Sequence, residues 1–136
     1  MILTDTGPLV ALLDEDDNHH VVCLAAARNL PAGPMTTTWP CFTEAMYLLG
    51  ESGGYAYQER LWQMRTRGRL EMVELTPSEI DNMAVLMARY QNVPMDVADA
   101  SLVAVAESRN ERRAFTIDSD FYIYRLADGT ILDIIG

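Results

Sequence analysis

Ile2-Leu3-Thr4-Asp5-Thr6-Gly7-Pro8-Leu9-Val10-Ala11-Leu12-Leu13 passes from a short apolar run straight into apolar positions at helical spacing, with one acid at the joint. Ile2–Thr4 is too short for a helix and reads as a strand, while Leu9, Val10, Leu12 and Leu13 begin a helical region. A strand feeding a helix is half of a crossover unit, and the rest of the chain repeats the alternation. Further strand candidates are Met35–Thr38, Glu71–Leu75, Ala114–Ile117 and Ile131–Ile134, each bounded by turn or charged residues.

Helices fill the spaces between. Val21–Leu30 follows the acidic break Asp14-Glu15-Asp16-Asp17. Pro40 suits a first helical turn, and Phe42, Ala45, Met46 and Leu49 recur at helical spacing until Gly50 and Gly53-Gly54. Tyr55–Arg67 reads as the next helix. Thr76-Pro77-Ser78-Glu79 is a capping box with proline at the first helical position, leading into Ile80, Met83, Ala84 and Met87. Asp96–Glu107 is the last long helix. Alternating strands and helices imply right-handed crossovers, so the predicted fold class is α/β, a mainly parallel sheet of about five strands flanked by helices on both faces. A chain of 136 residues with 49% hydrophobic and 22% charged residues has the composition of one domain, 1–136.

Open sheets of this kind collect ligands outside the carboxyl ends of their strands. Asp5 ends the first strand and Asp118 the fourth, so both carboxylates are expected at one edge. Glu44 falls in the first turns of the helix after the second strand. Asp96 and Asp99, three apart at a helix start, share a face. Clustered carboxylates raise one another's pKa, a cost relieved when a divalent cation sits between them. Mg²⁺ or Mn²⁺ suits an all-oxygen site and can activate water against a phosphodiester.

Each acid also has a structural reading. Asp5 before Thr6 and Gly7 can cap the first helix, and Asp96 after Pro94-Met95 sits where an N-cap is expected. Asp118 and Asp120 can mark a turn. Glu44 and Asp99 lie among apolar neighbours, where an unpaired acid is rare.

Taken together, Ile2–Thr6 with Leu9–Leu13, Thr43-Glu44, Asp99-Ala100-Ser101-Leu102 and Phe115-Thr116-Ile117-Asp118-Ser119-Asp120-Phe121 resemble the PIN-domain family in order and spacing over nearly the whole chain. The resemblance implies a Mg²⁺-dependent ribonuclease. Asp5, Glu44, Asp99 and Asp118 would be its metal-binding and catalytic acids, Thr6 a hydroxyl support near the first, and Asp96 and Asp120 auxiliary. Asp5 and Asp99 would ligate directly, with Glu44 and Asp118 ligating or holding metal-bound waters. A lone domain of this length is similar to a VapC-type toxin of a toxin–antitoxin pair. That implies an RNA substrate, a homodimer, and an antitoxin partner that blocks the pocket with an arginine-bearing segment.

Three other readings compete. Asp5-Thr6-Gly7 is also an aspartic-protease signature, but those enzymes are all-β and the capped helices oppose that fold. A receiver domain shares the acidic edge but needs a lysine, and all ten basic residues here are arginine. A catalytically inactive PIN-fold module that binds RNA or protein would gain stability by losing its four acids. His19-His20 with Cys23 lacks further ligands and reads as a helix start. Cys23 and Cys41 read as buried small hydrophobes rather than a disulfide or zinc site.

The net charge of -10 opposes nucleic-acid binding at long range, although a bound cation inverts the field locally. Arg60, Arg65, Arg67 and Arg69 either track an RNA backbone or form a solvated helix face. Trp39, Trp62 and Tyr55 read as core or interface, and Met46, Tyr47 and Trp62 are a modest hint of dimerisation. No apolar run reaches the roughly 18 residues of a membrane span, and the N-terminus lacks a basic signal start, so a cytoplasmic location is expected.

Overall fold

A two-residue strand cannot hold its own place, and Leu3–Thr4 (β1) is fixed by neighbours on both sides. The computed structural model describes residues 1–136 throughout. After β1 come α1 (Thr6–Leu13), α2 (His20–Arg28), β2 (Met35–Thr38), α3 (Trp39–Gly53), α4 (Tyr55–Thr66) and β3 (Leu70–Val73). The chain continues with α5 (Pro77–Arg89), α6 (Val97–Arg109), β4 (Arg113–Phe115), a short 3₁₀ turn at Ser119–Tyr122, and β5 (Asp133–Ile135). The five strands form one sheet in the order β3-β2-β1-β4-β5, every pair parallel. The predicted α/β architecture is the observed one.

Strand ends follow their partners. β3 stops at Val73 instead of the expected Leu75 because Val73 pairs with Thr38, the last residue of β2 before the chain turns into α3. β4 stops at Phe115 instead of Ile117 because its partner Thr4 is the last of β1. β5 begins at Asp133, opposite Arg113, later than the expected Ile131. Threonine hydroxyls reinforce the short centre: Thr36 donates to the Ile2 carbonyl at 3.0 Å and Thr37 to that of Thr4 at 2.7 Å.

Side chains alternate across the sheet. Leu3, Val73 and Ala114 join the core beneath α5 and α6, whereas Ile2, Leu70 and Phe115 face the layer built from α1 to α4. Gly54, at φ 66, supplies the left-handed backbone that separates α3 from α4. The long helix expected at Asp96–Glu107 is α6, with Asp96 as its N-cap. His20 opens α2 and donates from Nδ1 to the Ala11 carbonyl at 2.6 Å, and both cysteines are buried and free. No helix is long and apolar enough to cross a membrane.

One ion pair ties α5 to α6. The Thr76–Glu79 capping box is present, with the Glu79 carboxylate accepting from the Thr76 N–H at 2.8 Å. The same carboxylate, 2% exposed, accepts from Arg109 Nε and Nη2 at 3.1 Å each and from the Ser108 hydroxyl. The Arg109 guanidinium holds the Glu79 carboxyl down at about 2, against an ordinary 4.5. The unfolded chain therefore binds this proton more tightly, so the stabilisation is complete above about pH 4.5 and is lost as pH falls toward 2. Glu79→Ala leaves the Thr76 cap in place but removes the reciprocal half of the capping box together with the ion pair, and is expected to lower unfolding stability by about 3 kcal/mol at pH 7 in urea denaturation. The difference from the parent protein should shrink in the same measurement at pH 3.

Candidate metal centre

The strand order places β1 beside β4 at the point where the chain's direction of winding reverses. A crevice opens there, beyond the carboxyl ends of the two strands. Asp5 follows β1 directly, and its N–H donates to the Phe115 carbonyl at 2.9 Å, locking it to β4. Asp5 Oδ1 accepts from the Thr6 N–H at 2.8 Å, so the residue is also the N-cap of α1. Capping and site roles coexist in one carboxylate. Its other oxygen accepts from the Thr116 hydroxyl at 2.8 Å, and Thr116 Oγ1 in turn accepts from the Asp118 N–H at 3.0 Å.

Asp99 arrives from α6. Asp96 accepts from the Asp99 N–H at 2.8 Å as the helix cap, and Asp99 itself is buried one turn in, with Oδ2 accepting from the buried Tyr124 hydroxyl at 2.7 Å. One carboxylate oxygen each from Asp5, Asp99 and Asp118 lies within 4.8 Å of the others. Glu44, half-buried on α3, and Asp96 line the same cleft of about 270 Å³ without joining this trio. Asp120 lies on the 3₁₀ turn, where its N–H donates to Asp118 Oδ1 at 2.9 Å, and is not among the cleft's lining residues. Gly7 also lines the cleft, and a Cβ there would stand 2.8 Å from Ile117 Cγ1, so glycine permits α1 to start close against the strand-end loop.

The expected hydroxyl support from Thr6 is corrected. Thr6 lines the cleft, but its Oγ1 donates to the Cys41 carbonyl of α3 at 3.4 Å, and the group it offers Asp5 is its N–H. The hydroxyl on Asp5 is that of Thr116. Thr116 and Tyr124 were both missed as site residues. Thr116 carries a legible signal, two residues before Asp118 on the same strand end, whereas nothing local marks Tyr124 as a partner of Asp99, 25 residues away. Arg60, Arg65, Arg67 and Arg69 belong to α4 and the turn after it, and none lines the acidic cleft. Arg60 donates to the Leu13 carbonyl at 3.1 Å and stacks on Tyr57.

Electrostatics follow from burial. Desolvation pushes the Asp5 carboxyl up to about 6, opposed by the Thr116 and Thr6 hydrogen bonds and assisted by the charges of Asp118 and Asp96. Desolvation likewise pushes Asp99 up to about 8, opposed by Tyr124 and assisted by Asp96, Asp5 and Asp118. Three hard oxygen donors, two of them buried and all of one charge sign, fit a divalent cation of the Mg²⁺ or Mn²⁺ type. Neither nitrogen nor sulfur ligands are offered, since the nearby Cys41 thiol is pushed up to about 12 and stays protonated.

Family membership is decided by sequence as well as shape: a family model described as PIN domain matches residues 2–127. The chain belongs to the PIN-domain family. No curated protein matches it in sequence. Among solved structures, this PIN domain superposes on VapC20 of Mycobacterium tuberculosis, a sarcin-ricin loop cleaving toxin. The TM-score is 0.83 at 20% identity, covering 90% of this chain and 94% of that one. A toxin–antitoxin complex from Klebsiella pneumoniae gives a TM-score of 0.65 at 15% identity, covering 90% of each chain. VapBC2 of Rickettsia felis, bound to a DNA fragment from its promoter, gives 0.64 at 14% identity over 100% of both. At such identities the likeness is one of fold. PIN nucleases use divalent metals, and the acidic trio of this PIN domain stands at the switch point of that fold.

Metal and pH should act on this site together. Asp5 and Asp99 hold their protons more tightly in the folded chain than the ordinary 3.8 of the unfolded one, so folding takes up protons between about pH 4 and 8. The contribution of this site to metal-free stability therefore falls as pH rises through that interval. In thermal melts with EDTA, Asp99→Asn is expected to raise Tm at pH 8 and to change it little at pH 5. Mg²⁺ should raise the parent's Tm at pH 8 and not that of the variant.

Proposed function

We propose that this PIN domain is a Mg²⁺- or Mn²⁺-dependent endoribonuclease that hydrolyses RNA phosphodiester bonds as the VapC-type toxin of a toxin–antitoxin pair. The observation that carries the reading is the convergence of buried Asp5 and Asp99 with half-buried Asp118, from three distant segments, at one point of the sheet edge. Asp5, Asp99 and Asp118 would hold the cation, with Glu44 and Asp96 on the cleft wall available to bind its waters. The bound cation supplies a polarised water and neutralises charge developing on the phosphodiester. Thr116 and the Thr6 N–H keep Asp5 in one rotamer, and Tyr124 does the same for Asp99, so the acids need not reorganise when substrate arrives.

An idle binding module is disfavoured by energetics. Buried acids held against one another destabilise a scaffold that gains nothing from a metal, and neutral residues would pack there at lower cost. The aspartic-protease reading does not suit a wholly parallel α/β sheet with one Asp-Thr-Gly. The toxin assignment rests on the kinship of fold with VapC20 and the two toxin–antitoxin structures, and it implies a cognate antitoxin, RNA as substrate and the cytoplasm as site of action. Exposed Tyr47 on α3 and Tyr55 and Trp62 on α4, none of which lines the acidic cleft, offer apolar surface for a homodimer.

The test is cleavage of a mixed RNA pool by the purified protein with Mg²⁺ or Mn²⁺, beside EDTA and the Asp99→Asn variant. Cutting is expected only with metal and the parent protein, and the variant should fall by at least about a hundredfold. Intact RNA with either metal would overturn the assignment.

A further inference from the structure

The metal cleft does not end at Asp118. Ile117 and Asp118 wall it on one side and on the other wall a second cleft of about 250 Å³, which is also lined by His19, Val22, Ser119 and Tyr122. Its walls come from three parts of the chain: the start of α2, the segment from Thr116 into the 3₁₀ turn, and Ile134 and Gly136 at β5. Tyr122 is 57% exposed and Val22 55%, an aromatic and an aliphatic side chain left in water beside the most chemically specialised point of the fold. Neither belongs to a core cluster, so both are free to meet a ligand that enters the cleft they line.

The chemistry of the walls selects the kind of ligand. The cleft's lining contains no arginine and no lysine, and its one side-chain carboxylate is Asp118, so it lacks the fixed cations that hold a phosphate. A flat, uncharged ring is what the walls suit: the Tyr122 ring offers a stacking face, and the Ser119 hydroxyl and the His19 imidazole offer hydrogen bonds to a base edge. The His19 ring approaches only Asp17, at 3.6 Å, and so retains most of its hydrogen-bonding capacity.

We infer that this second cleft is a subsite for one unpaired nucleobase of the RNA, flanking the phosphodiester that lies over Asp5, Asp99 and Asp118. The inference rests on the nuclease reading, since shared walls at Ile117 and Asp118 make the two clefts neighbours along one strand of substrate. Stacking on Tyr122 draws the strand toward an otherwise acidic surface and gives the cut a base preference that the metal centre alone cannot give. A protein segment in the same cleft is the competing occupant.

The experiment pairs protein variants with altered RNA. Cut sites of the parent protein in an RNA pool with Mn²⁺ are mapped by sequencing, and the best-cut RNA is remade with an abasic residue on either side of the cut. The parent is expected to prefer particular bases at one flanking position and to lose about tenfold in rate on the RNA abasic there, as stacking on one aromatic ring implies. Tyr122→Ala should lose about as much on intact RNA, flatten the preference, and lose nothing further on the abasic RNA. Tyr122→Phe, which keeps the ring, should behave as the parent. Thermal melts of both variants check folding, which an exposed side chain should not disturb.

Equal losses for Tyr122→Ala on intact and abasic RNA, or unchanged rate and preference, would overturn the subsite while the nuclease stands. So would a Tyr122→Ala protein that cuts normally but no longer binds its antitoxin, which would make the cleft a protein-docking surface. A parent protein that cuts no RNA removes the nuclease reading and this inference with it.

Discussion

The structure is organised around carboxylates that repel one another and are nevertheless held together. Asp5, Asp99 and Asp118 reach the same point from the end of β1, the first turn of α6 and the loop after β4, with ligand oxygens within 4.8 Å. Like charges at that separation, partly removed from water, oppose folding. Only a framework that is over-determined elsewhere keeps them there, and the central strand pair β1–β4 is that framework. Leu3 and Thr4 pair with Ala114 and Phe115, and the next residue on each strand is a site residue, Asp5 on one and Thr116 on the other.

Every buried side-chain nitrogen and oxygen has a hydrogen-bond partner. Thr38 caps α3 and meets the Ser101 hydroxyl of α6 at 2.6 Å, while Ser101 is also bonded to the Ala98 carbonyl, so the two helices that carry Glu44 and Asp99 are joined below the cleft. Tyr124 reaches Asp99 from the segment after the 3₁₀ turn, and its ring packs edge-on against Tyr90 and Phe121. The rotamer of one acid is therefore coupled to packing on α5 and beyond β4. Polar contacts of this kind, fully satisfied, rigidify a site at little net cost.

A net charge of -10 repels a nucleic-acid backbone, and the arginines of α4 and the following turn lie outside the acidic cleft. A divalent cation at Asp5, Asp99 and Asp118 would offset the acidic field locally while leaving the molecule acidic overall. Apolar surface beside the cleft, on Val22 and Tyr122, offers attraction that charge does not oppose.

The amino-acid pattern alone determined the alternation of strands and helices, the α/β class, the capping box at Thr76, and the acids that the resemblance singled out, because these depend on spacing and on preferences within a few residues. Strand ends were less legible. They are set by where the neighbouring strand stops, as Val73 stops with Thr38. Only tertiary structure decided that Asp5, Asp99 and Asp118 form the trio while Glu44 and Asp96 stand at its wall and Asp120 outside the cleft, for all six are acids near one sheet edge in the sequence. It decided too that Thr116 and not Thr6 donates its hydroxyl to Asp5, and that Tyr124 holds Asp99. Hydrogen bonds select partners by angle and by tenths of an ångström, and those are properties of packed elements, not of residue order.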